Sequence, residues 1–316
     1  MKLLQYINKS QIQLFLGIII IISSSCIQEI TINQIKYDRK LTLSAILESG
    51  KNFRIKIGAS TAIKSTDTLW VNDATVYLWE NGVLVDTLEN EGRGTYYSPV
   101  FISRGSIFTI EAHAEGFETI TATDTVPSEK IRIQHVTIKK DDYIDSYGDS
   151  HDNLFVEFMD GQGSNFYELF FIDVYVTDTT VSISFNFSEE HIDPVVKSEG
   201  SNELYELSSI FSDNMFEDAT YILNVSSEMG IGTHVPFFKD LKTGTYMVLR
   251  NTSSVYFQFR QSLAVHLYNQ QQKIDFEDYT SFLFDSNPEP LFSNVKNGYG
   301  IFAFYTQDDY KLPTNY

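Results

Sequence analysis

The chain has 316 residues, 42% of them hydrophobic and 14% aromatic, with 24 Phe and 19 Tyr, so it carries ample apolar side chain for a core and wholesale disorder is excluded. At roughly 100 to 200 residues per domain, two cores are expected. A formal charge of −19, from 23 Lys+Arg against 42 Asp+Glu, repels nucleic acid and anionic membrane surfaces and argues against a polyanion-binding role, while a single cysteine excludes an internal disulfide or a multi-cysteine zinc or iron–sulfur site.

Residues 1–25 hold Lys2 and Lys9 and no acid, then an apolar run from Leu14 to Ile22, then Ser23, Ser24 and Ser25 ahead of Cys26. A positive region, an apolar region and a small-residue cleavage site are the order of a secretory signal peptide. The apolar run is far shorter than the about 20 residues that a helix needs to cross a bilayer. Ser23-Ser24-Ser25-Cys26 resembles the lipobox of bacterial lipoproteins, with Ser23 where Leu is commonest. That resemblance implies that the three serines are the signal-peptidase recognition residues and that the Cys26 thiol is lipidated. Several acyl chains anchor far more firmly than one, since each buried methylene contributes about 0.8 kcal/mol. The mature chain is therefore expected to be tethered to a membrane, not to span it. Ile27-Gln28-Glu29-Ile30 offers a single carboxylate after the anchor, which leaves the periplasmic and cell-surface faces both open.

From residue 40 to about 138 the pattern alternates with period two between turn residues, as in an antiparallel sandwich. Phe53, Ile55 and Ile57 share one face and Arg54 and Lys56 the other. Residues 74–88 read as a hairpin, because Asn81-Gly82 suits a turn whose two central residues both need positive φ. Gly92, Gly94 and Tyr96-Tyr97 mark the next turn. In the strand that follows, Phe108, Ile110, Ala112 and Ala114 face inward and His113 outward. Val126-Pro127-Ser128 closes the unit, Pro127 lacking a ladder donor. The segment 131–138 then opens a second unit, its phase slipping at Gln134-His135 as a bulge requires, before a hydrophilic stretch from Lys139 to Asn153.

Further strands are predicted at 154–158, 166–176, 181–187, 221–225, 245–249 and 301–305, all β-branched or aromatic runs bounded by Gly, Asp and Asn. Between residues 254 and 272, Tyr256, Phe259, Leu263 and Leu267 recur at three- and four-residue spacing, and Ser253 or Ser254 can cap them. This predicts one amphipathic helix. The fold class is all-β, with a signal peptide over 1–25, a β-sandwich over 26–127 and a second antiparallel β domain over 128–316.

Several motifs together resemble a family of bacterial lipoproteins known as domain of unknown function 4249. They are Phe158-Met159-Asp160 before Phe166-Tyr167, Phe211-Ser212-Asp213 before Tyr221, Tyr256 with Ser262-Leu263, and the run Ser293-Asn294-Val295-Lys296-Asn297-Gly298-Tyr299-Gly300-Ile301-Phe302. The resemblance implies an immunoglobulin- or transthyretin-like amino-terminal sandwich. It also implies an outer-membrane lipoprotein encoded beside TonB-dependent receptors, and it supplies no catalytic residue. Asn297-Gly298-Tyr299-Gly300 reads physically as a tight turn feeding a final strand.

No histidine stands in a metal-ligand motif, and no nucleophile elbow or phosphate loop is present. Gly148-Asp149-Ser150-His151 superficially matches an esterase block but lies in a polar run and reads as a loop. Asp141, Asp142, Asp145, Asp149 and Asp152 crowd one stretch without calcium-loop spacing. Glu189-Glu190 and Asp308-Asp309 are adjacent acids that point apart on a strand. Phe166, Tyr167, Phe170, Phe171 and Tyr175 read as core before they read as a stacking platform. The expected function is a non-enzymatic, cofactor-free, lipid-anchored envelope protein that binds no nucleic acid and accompanies a TonB-dependent outer-membrane receptor or another envelope protein. The alternatives are an envelope hydrolase acting on glycan or peptide, and an adhesive or structural spacer.

Overall fold

A computed structural model describes residues 38–61, 69–144, 148–176, 181–186, 193–198, 209–216, 218–227, 243–271 and 290–313. The chain is mostly β. In order run β1 (Leu41–Glu48), β2 (Asn52–Ala59), β3 (Leu69–Trp70), β4 (Thr75–Glu80), β5 (Val83–Thr87), β6 (Glu89–Gly92), β7 (Thr95–Phe101), β8 (Ile107–His113) and β9 (Ile120–Thr125). The second half continues with β10 (Ile133–Ile144), β11 (Ser150–Met159), β12 (Phe166–Val176), β13 (Val181–Asn186), helix α1 (Pro194–Ser198), β14 (Ser209–Ser212), β15 (Thr220–Ser227), β16 (Gly244–Thr252), helix α2 (Ser254–Gln271) and β17 (Tyr299–Lys311).

The local signals act where they stand. Asn81 and Gly82 take φ 49° and 81° between β4 and β5, and the β10–β11 register shifts between Ile133 and His135. One sheet carries the strand order β13-β12-β16-β17-β1-β2-β7-β6, with β14 beside β12 and β3 beside β2. Two smaller sheets, β5-β4-β8-β9 and β10-β11-β15, supply the opposing layers. In the first half, Leu41, Leu43, Phe53, Ile55 and Ile57 pack on Val76, Leu78, Phe108, Ile110 and Ala112, the inner faces of a sandwich whose strands alternate inward and outward. In the second, Val156 and Phe158 of β11 and Leu223 and Val225 of β15 meet Tyr167, Leu169 and Phe171 of β12 and Met247 and Leu249 of β16.

The last strand departs from the expected division at residue 127. It lies parallel to β1, from Thr42 opposite Tyr299 to Glu48 opposite Tyr305, and antiparallel to β16. Phe302 and Phe304 enter the first core, while Ile301, Ala303 and Tyr305 pack against Tyr256 and Phe259 of α2. A strand covered on both faces reads as a continuous apolar run, and nothing in that run says which strand it pairs with. Residues Arg39–Tyr316 consequently hold together as one unit.

Two further elements differ from the sequence reading. The stretch 139–153 is not a connector over its whole length, because β10 continues to Ile144 and β11 begins at Ser150. Helix α2 forms where expected and is capped by Ser253, whose Oγ accepts from the Tyr256 N–H at 3.1 Å. Among its residues up to 267, the buried side chains are Tyr256, Phe257 and Ala264, with Phe259, Leu263 and Leu267 half-exposed. Among the described residues no helix is long and apolar enough to cross a membrane.

Candidate functional site

Ser23, Ser24, Ser25 and Cys26 lie outside the described residues, as do Asp145, Glu189 and Glu190. The remaining candidates are dispersed. Asp141, Asp142 and Asp152 sit along the β10–β11 hairpin, where the Asp152 carboxylate accepts from the Asp141 N–H at 3.0 Å. Among the described residues, no three His, Cys, Asp or Glu side chains gather where a metal ion could bind. Ser150 and His151 pair across the hairpin with Ile144 and Tyr143. Asp308 accepts from the Ile133 N–H at 3.0 Å, and burial, with Asp308 next, pushes the Asp309 carboxyl above its ordinary range. Tyr167, Phe170 and Phe171 are core, whereas Tyr175 is 57% exposed.

The two Phe-x-Asp motifs, far apart in sequence, meet. Phe158 and Phe211 share an aromatic cluster with Tyr167 and Phe216, and the acids that follow them tie the adjoining loops. The Tyr167 hydroxyl donates to Asp160, whose other oxygen accepts from the Asp218 N–H at 2.9 Å. Asp213 accepts from the Asn165 N–H at 2.6 Å. Burial raises the Asp160 carboxyl, the Tyr167 and Asp218 hydrogen bonds oppose that, and nearby Asp213 adds to the rise. Asp193, 2% exposed, works the same way: it accepts from the Val195 N–H at the start of α1, the Tyr221 hydroxyl and the Asn224 N–H, at 2.9, 2.7 and 2.8 Å.

The run Ser293–Phe302 docks β17. Asn294 accepts from the Phe302 N–H at 3.0 Å and donates to the Phe302 and Thr123 carbonyls, and Asn297, at φ 61°, donates to Thr119. Gly300 has φ 119°, and a Cβ there would stand 1.9 Å from the Leu43 carbonyl oxygen. Only glycine lets the two backbones approach so closely.

One buried polar cluster among the described residues was not singled out from sequence. Glu168 of β12, 2% exposed, lies 2.9 Å from Arg250 Nη1 of β16 and 3.0 Å from Arg260 Nε of α2, and also accepts from the Tyr256 hydroxyl. The Arg250 guanidinium carbon sits over the Phe170 ring at 4.6 Å from its centroid and over that of Tyr305 at 4.1 Å, within cation–π range. Arg260 thus occupies the buried face of the helix. Part of the signal was present: Glu168 stands within the predicted strand 166–176 among aromatic and aliphatic residues, and a buried charge demands a partner, whereas Arg250 falls just beyond the predicted strand 245–249. Asp124 of β9 makes a second clasp. It accepts from the Phe304 N–H at 3.1 Å and from the Ser253 hydroxyl; burial drives its carboxyl up to about 6. Each of these carboxylates holds backbone N–H groups, hydroxyls or arginines in place.

A family model described as a domain of unknown function, DUF4249, matches residues 27–311. The chain belongs to that family. No curated protein and no solved structure matches it.

Proposed function

We propose that this protein is a lipid-tethered component of the bacterial outer membrane, a non-enzymatic accessory or binding partner of a TonB-dependent receptor or another envelope complex. The observation that carries the reading is the apolar run Leu14–Ile22 followed by Ser23-Ser24-Ser25-Cys26, with the family match beginning at residue 27, directly after that cysteine. The commitment of Asp124, Asp160, Glu168, Asp193 and Asp213 to internal ties supports a rigid scaffold that presents surfaces. Receptor association follows from the family likeness.

Metabolic labelling with palmitate tests the tether. The wild-type chain takes up label and sediments with membranes, whereas Cys26→Ala is unlabelled and released; label on Cys26→Ala overturns the assignment. Crosslinking in native membranes followed by affinity purification is expected to recover a barrel receptor, and recovery of none in mild detergent overturns the partnership.

A further inference from the structure

At its β1-β2-β7 end the large sheet has one face on the first core, and α2 packs on the opposite face over β17, β12 and β14. Over β1, β2 and β7 none of the described elements packs on that outer face. It carries Ile46, 38% exposed, Trp70, 40%, Tyr299, 51%, and Phe101, 65%. Three cations lie on its rings: Lys40 is 5.5 Å from the Tyr299 centroid, Arg54 5.5 Å from that of Tyr97, and Lys56 5.0 Å from that of Trp70. Trp70 is held in place from beneath, since it pairs with Gly58 and a Cβ on Gly94 would come within 3.0 Å of its ring. The acids of this face lie along β6 and at the end of β1: Glu91 is bonded to Arg54 at 3.1 Å, Glu89 stands opposite Tyr97 and Glu48 closes β1, while Lys40 and Lys56 stand over the rings of Tyr299 and Trp70.

From this geometry we infer that the face lies on the anionic headgroups of the bilayer leaflet that holds the acyl chains of Cys26. The inference rests on the proposed tether. Rings with an apolar body and a polar tip belong at a membrane interface, and Lys and Arg are drawn to anionic headgroups within a Debye length. Ile46 and Phe101 add apolar area with no polar role. Lys40 directly precedes β1, and the 14 residues from Ile27 to Lys40 reach about 46–50 Å at full extension, enough to bring the face down. The acidic remainder, repelled by the same headgroups, turns toward solvent and fixes the orientation.

Tryptophan fluorescence reads this directly, because the chain has two Trp and Trp79 alternates outward from the buried Leu78 on the sandwich's other sheet. The full-length lipidated protein carrying Trp79→Phe is reconstituted into phosphatidylcholine–phosphatidylglycerol vesicles with brominated acyl chains. Trp70 is expected to be quenched, and salt near 0.5 M relieves the quenching. The Lys40→Glu/Lys56→Glu variant still floats with the vesicles through Cys26 but loses contact by at least about fivefold, the factor that one basic residue supplies at such a surface. Trp79 in a Trp70→Phe chain stays unquenched. Failure of the wild type to float with vesicles overturns the tether. Flotation with Trp70 unquenched, or with both tryptophans quenched alike, overturns the face alone. Quenching of Trp70 by a soluble acidic polysaccharide, with none by lipid, assigns the face to a glycan and also overturns it.

Discussion

Asp124→Asn is expected to stabilise the protein at pH 8 and to destabilise it at pH 4. Burial raises the Asp124 carboxyl from 3.8 to about 6 despite hydrogen bonds from Ser253, Thr125 and Phe304. A carboxyl whose folded pKa lies above its unfolded value favours the folded state when protonated. Its contribution is therefore fully present below pH 3.8, is lost as pH rises through 6, and is absent above. The difference of about two units corresponds to about 3 kcal/mol at 1.36 kcal/mol per unit. Asparagine removes the ionisation but has one oxygen where the carboxylate has two, so a hydrogen bond worth about 1 kcal/mol is lost at every pH. The net expectation is a gain of about 2 kcal/mol for the variant at pH 8 and a loss of about 1 kcal/mol at pH 4. Urea unfolding of both proteins at the two pH values measures it, and the groups that titrate in common cancel in the difference. A variant less stable by the same amount at both pH values would refute the reasoning.

Glu168→Gln leaves the Arg250 and Arg260 guanidiniums without their counter-charge and costs about 3–5 kcal/mol by denaturant unfolding. Glu91→Ala, which breaks an exposed pair with Arg54, costs less than about 1 kcal/mol in the same assay. Gly300→Ala places a Cβ against the Leu43 carbonyl and is expected to abolish soluble expression, whereas Gly82→Ala, at φ 81° with open space around it, lowers stability by only about 1 kcal/mol. Phe304→Ala empties a site that is 0% exposed among Phe53, Phe108 and Phe302 and costs about 3–5 kcal/mol. Hydrogen exchange in β12 should then speed up together with exchange in β8.

What the sequence made legible was local. The Asn81-Gly82 hairpin, the bulge at Gln134, the outward His113 and the helix start at Ser253 each depend on residues within a turn or a few positions of one another. The extension of β10 through Lys139, Lys140, Asp141 and Asp142 was not legible, because a hairpin with both faces in water shows no apolar alternation. The buried face of α2 was read only in part, Tyr256 and Phe259 lying on it and Leu263 and Leu267 half-exposed, for a related reason. A stripe of Leu and Phe outranks an arginine in any hydrophobic count, yet Arg260 is the residue turned to Glu168, and the pair is visible only once β12 and the helix are brought together. The Phe-x-Asp motifs could be quoted in order, but their convergence at Tyr167 and Asn165 is a property of the sheet.

Strand β17 shows why two halves with separate cores form one unit. Its odd-numbered residues Ile301, Ala303 and Tyr305 lie under α2, and its even-numbered Phe302 and Phe304 complete the sandwich. Beyond residue 305 the same strand pairs with β16 as far as Lys311, beside the second core. Removing it would expose β1 along one edge and the helix along its packed face at once. Asp124 and Ser253 reinforce the same point, since the Phe304 N–H goes to Asp124 of the sandwich and its carbonyl accepts from Ser253, the cap of α2, at 3.1 and 2.9 Å. The outer face of β1 and β2 therefore sits on a sheet that is fixed along its β17 side. Such a sheet keeps the three ring–cation pairs on one face, whereas a hinge between the halves would let Tyr299 drift away from Trp70.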